Sequence, residues 1–88
     1  MSDAIQLSAL RDAAIKAVRS AREAWLWARA GSTTRREVDA VCELLERCAI
    51  ELGDNARVTA RKRASVHLPS LAVDAWLAVD AWRRAVAA

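Results

Sequence analysis

Over the first third of the chain, apolar residues return every three or four positions: Leu7, Leu10, Ala14, Val18, Ala21, Trp25 and Ala28. Asp12, Lys16, Arg19 and Glu23 take the opposite side. This period is that of an amphipathic helix, and it predicts one over about residues 3–30. Ser2 or Asp3 stands where a cap is needed at its start, and Gly31 where a helix stops. Ile15 and Leu26 sit beside the main stripe, and Trp27 projects toward the charged side.

A second stripe, Val38, Val41, Leu45, Cys48 and Leu52, predicts a helix over 34–52. Thr34-Arg35-Arg36-Glu37 fits a capping box at its start, and Gly53 supplies a left-handed C-terminal residue. The short break at Gly31-Ser32-Thr33 makes the two helices an αα-hairpin. A third stripe, Leu71, Ala75, Ala78, Val79, Trp82 and Val86, predicts a helix over 69–86, opened by Pro69 and Ser70. The echo of Ala72-Val73-Asp74-Ala75-Trp76 in Ala78-Val79-Asp80-Ala81-Trp82 has a period of six. On a helix that period turns the paired residues in different directions, so it is not a structural repeat. Between Gly53 and Pro69, the stretch 54–68 has Val58 and Val66 as its only large apolar residues before Leu68. It reads as a basic connector, expected to form a short helix followed by a loop.

The predicted fold is therefore all-α: a small helical bundle of one domain, residues 1–88, built from an αα-hairpin and a third long helix. Composition agrees. The chain has two Gly, one Pro, no Phe and no Tyr, and is 55% apolar, too hydrophobic for disorder and poor in strand and turn formers. So short a chain buries a modest fraction of its surface, and pairing into a symmetric homodimer is the expected remedy. No apolar run approaches the roughly 18 residues that cross a bilayer. Met1-Ser2-Asp3 lacks the basic and apolar regions of a secretory signal, so no membrane role and a cytoplasmic location are expected.

Three helical stripes leave apolar residues unspent. Val73 and Leu77 are i, i+4 neighbours on the side of the third helix away from Leu71 and Trp82, with Trp76 at their edge. Four tryptophans are many for one small core, and Trp is enriched where interfaces carry their energy. Val73, Trp76, Leu77 and Trp27 are accordingly the candidate protein interface. Charge adds a second candidate. The second helix is predominantly acidic, through Glu37, Asp39, Glu43, Glu46 and Glu51, and it runs into the basic Arg57, Arg61, Lys62 and Arg63. Those four could meet phosphate, although no RNA-binding signature or helix-turn-helix spacing accompanies them.

Chemistry is absent from the pattern. His67 stands alone, and Cys42 and Cys48 lie about 240° apart around a helix, too divergent to bridge. Two Cys and one His do not fill a zinc site. Glu43 and Glu46 lack the Glu-x-x-His partners of a helical di-metal centre, and two glycines make no phosphate loop. The expectation is a protein that is not an enzyme and uses no metal or cofactor. It would be a regulatory or inhibitory protein that binds itself or a larger protein, in the style of small accessory proteins of phages and mobile elements. The alternative is a nucleic-acid-binding regulator using segment 57–63.

Overall fold

Three helices form where the stripes place them: α1 spans Ser2–Gly31, α2 spans Arg35–Glu51 and α3 spans Leu68–Ala87. The structure, a computed structural model, describes residues 2–31 and 34–88. The expected turn at Ser32-Thr33 and the Ser2 side chain lie outside the described residues. Because α1 begins at Ser2, Asp3 sits inside the first turn, where a carboxylate favours the positive helix end.

α1 is the spine. At about 1.5 Å per residue, its 30 residues account for most of the molecule's 49 Å length. Both other helices pack against it antiparallel, and they touch each other only lightly. For α2 the direction follows from Arg29 Nε to Asp39 Oδ1 at one end, 2.8 Å, and Arg11 Nε donating to the Leu52 carbonyl at the other, 2.9 Å. α3 is placed by the Trp25 indole N–H, which donates to the Leu68 carbonyl at 3.1 Å.

Alanine dominates the seam. Ala14, Val18, Ala21, Leu45, Cys48, Ala49, Leu52, Ala75 and Val79 form one buried cluster. Small side chains on α1 and α3 let the two helices approach closely, and Trp25, Leu71 and Trp82 flank the contact. Leu52, Val18 and Val79 are the largest side chains that are fully buried, so the core is thin. Val86 departs from its predicted inward place and is exposed. The reason is length: α2 has 17 residues and ends opposite Arg11. The first turns of α1 therefore meet α3 alone, in a cleft lined by Asp3, Gln6, Leu7, Ala85, Val86 and Ala88.

The helix ends partly follow the expected chemistry. Gly53, at φ +73°, closes α2 in a Schellman arrangement: its N–H meets the Ile50 carbonyl at 3.0 Å and the Asp54 N–H meets Ala49 at 2.9 Å. At the start of α2 the capping box does not form. Thr34 occupies the N-cap position with ψ 59° and its side chain makes no capping hydrogen bond, because that ψ lies outside the extended region from which the hydroxyl reaches the next amides. α3 starts one residue before Pro69, with His67 as its N-cap: the ring Nδ1 accepts the Ser70 N–H at 3.3 Å.

The segment between α2 and α3 corrects another expectation. Residues 54–67 contain no helix. They return along α1 from the Arg11 end to the Trp25 end as an irregular strap. Asp54 is the first anchor: it is 8% exposed and takes Arg19 in a bidentate pair at 2.8 and 2.6 Å. It also accepts the Ala56 N–H at 3.2 Å. Farther on, the Arg61 N–H donates to the Glu23 carbonyl at 3.1 Å, and Arg63 pairs with the Glu23 carboxylate. These anchors hold the strap against α1.

Candidate interaction surfaces

α3 presents Val73 and Leu77 outward, 55% and 58% exposed. They fall on the side of the helix opposite the buried Ala75 and Val79, as the period dictates. Asp80 and Arg84 continue the same stripe at spacings of three and four, and they pair with each other at 3.0 Å. Trp76 borders this face but is tied inward on one side. The Arg83 guanidinium stacks over its ring, 4.9 Å from the centroid, and donates from Nε to Glu51 of α2 at 2.7 Å. That pairing holds the Glu51 carboxyl below its ordinary pKa. One ring face of Trp76 is thus committed to the α2–α3 junction.

Trp27 lies elsewhere, 49% exposed on α1. It lines a cleft with Ala24, Ala28, Arg61, Lys62, Arg63, Val66 and Leu68. The structure thus separates Trp27 from Val73, Trp76 and Leu77, and joins it to three of the four basic residues. Arg57 is parted from those three and borders a second cleft with Arg22, Glu46, Ala49, Ile50, Asp54, Asn55 and Ala56. Nothing in the local pattern announces the meeting of Trp27 with Arg61, Lys62 and Arg63, because it depends on the strap doubling back over more than thirty residues of chain.

Sequence reasoning also missed exposed apolar side chains. Ile5, Leu44 and Ile50 are 76%, 43% and 69% exposed. Their phase relative to the stripes held the signal: each falls off the buried face of its helix.

No family model matches the chain, and no curated protein or solved structure matches it.

Burial pushes the thiols of Cys42 and Cys48 up from their ordinary pKa, which disfavours the nucleophilic thiolate. His67 caps a helix. Among the described residues, no cluster of three or more His, Cys, Asp or Glu side chains could hold a metal ion, and no helix is long and apolar enough to cross a membrane.

Proposed function

We propose that this is a non-enzymatic regulatory or inhibitory protein that acts by binding protein through the outer face of α3, with a second copy of itself as the first occupant. The observation that carries the reading is the pair of half-exposed aliphatic side chains, Val73 and Leu77, on a helix already fixed to α1 by its other side. The extent of exposed surface supports it. A compact monomer of this mass exposes about 5,100 Å², whereas this chain exposes 6,201 Å². The surplus is on the order of one partner's share of a standard interface, about 800 Å².

A second copy suits the spacing. Val73, Leu77, Asp80 and Arg84 follow the spacing of a helix–helix seam. Antiparallel pairing of two α3 helices about a two-fold axis between these residues would set Val73 of one against Leu77 of the other, as an isologous interface requires. Any larger protein that this one regulates would be met by the paired form, or would replace the second copy on the same face.

Light scattering on a sizing column tests the proposal. Wild-type protein is expected at twice the 9.6 kDa chain mass, and Leu77→Glu at the single-chain mass with unchanged helicity. A wild-type chain that stays single at roughly millimolar concentration, well above the range of ordinary specific dimers, would refute self-association through α3. So would a Leu77→Glu variant that remains paired.

A further inference from the structure

We propose that the cleft between α1 and the strap binds single-stranded nucleic acid, with one unpaired base stacked on Trp27 and the flanking phosphates on Arg61 and Lys62. Stacking on an exposed aromatic ring beside a cationic track is the general means by which proteins hold single strands without reading sequence. Both parts are present in one concavity, where Ala24 and Ala28 leave room beside the Trp27 ring.

The ring and the cations are available. Trp27 is the most exposed of the four tryptophans. Arg83 lies over Trp76, whereas among the described residues no cation stacks on Trp27, although three stand in its cleft. Arg61 and Lys62 are exposed and have no ion-pair partner among the described residues. Arg63 differs, being held by Glu23, and is a positioning residue.

The site is also fixed in advance. Asp54 on Arg19, the Arg61 N–H on the Glu23 carbonyl and Arg63 on the Glu23 carboxylate hold the strap against α1. The side chains of Arg61 and Lys62 are thereby carried on an ordered backbone, which lowers the cost of ordering them on binding. An acidic peptide would satisfy the cations but leave the ring unused. A duplex keeps its base faces within its own stack. A single strand uses both parts of the cleft. The site involves α1 and the strap, so it stands independently of pairing through α3.

The test is fluorescence anisotropy of labelled oligo-dT and oligo-U, of roughly 12 nucleotides, in low salt. Comparison ligands are a duplex of the same length, the mononucleotides and polyglutamate. Binding of a single strand is expected, weakened about five- to a hundredfold by Trp27→Ala and largely retained in Trp27→Tyr, which keeps a stacking ring. For two phosphates, log K should fall against log salt with a slope of about −1.4, and the double variant Arg61→Ala, Lys62→Ala should abolish most of that slope. The substituted side chains are exposed, so circular dichroism should report an unchanged fold for each variant. Several results would overturn the proposal: no single-strand binding in low salt, equal binding of duplex or polyglutamate, mononucleotide binding as tight as the strand, or indifference to Trp27→Ala.

Discussion

Leu52→Ala is the most demanding test of the packing. Leu52 is 2% exposed, and the cluster around it is otherwise mostly Ala and Val. Truncation removes three carbons, worth about 0.8 kcal/mol each in transfer, or about 2.4 kcal/mol together. The cluster it belongs to draws on all three helices, which cannot all close on a gap, so a cavity contribution brings the loss to about 3–4 kcal/mol. A chain of 88 residues has a total stability of about 4–13 kcal/mol, and the thin core places this one toward the lower end. Urea denaturation followed by circular dichroism is the assay. With a slope of about 1 kcal/mol per molar, the midpoint should drop by about 3 M. Ile50→Ala is the control: it lies in the last turn of α2, two residues before Leu52 at the C-cap, but is 69% exposed, and should change stability by less than about 0.5 kcal/mol. Equal shifts for the two variants, or a shift below about 0.5 M for Leu52→Ala at unchanged slope, would refute the assigned orientation of α2.

Two further outcomes follow from the anchors. Arg19 holds the Asp54 carboxyl below its ordinary pKa, and Arg83 does the same for Glu51. A lowered folded-state pKa means stability that is present above the unfolded values of about 4 and is lost as pH falls through the lower folded ones. Melting temperature should therefore decline toward acid, and Asp54→Asn with Glu51→Gln should lie lower at neutral pH and converge with wild type in acid; parallel curves would contradict the pairing. Trp25→Phe removes the donor to the Leu68 carbonyl and should cost about 1 kcal/mol, read as a lower urea midpoint.

The helices were legible because each carries its own periodic stripe, and the buried residues Ala14, Val18, Ala21, Leu45, Cys48, Ala75 and Val79 all lie on the predicted faces. The strap was not. Its course is set by Arg19, Glu23 and Trp25, distant in the chain, and no local period records such contacts. Val73 and Leu77 were identifiable as outward-facing because the phase of a helix fixes both of its sides. Trp76 was half legible: its exposure follows from phase, but its stacking under Arg83 depends on where Glu51 of another helix comes to rest. Thr34 failed as a cap for a backbone reason, since one dihedral decides whether a hydroxyl can reach the next amides.

The mismatch in length between α2 and its neighbours divides the molecule into parts that should open separately. Where three helices meet, a backbone amide exchanges its proton with solvent only when much of the fold is lost. Beyond the end of α2, the opening turns of α1 and the closing turns of α3 are held by a single helix–helix contact, with Ile5 and Val86 turned to water. Local fraying there exposes little that was buried. Amide exchange should accordingly form a gradient along α1, fastest near Ile5 and slowest around Val18 and Ala21. A second protein chain covering that two-helix end would appear first as protection of these outer amides, while the slowest exchange, at the centre of α1, stayed as it was.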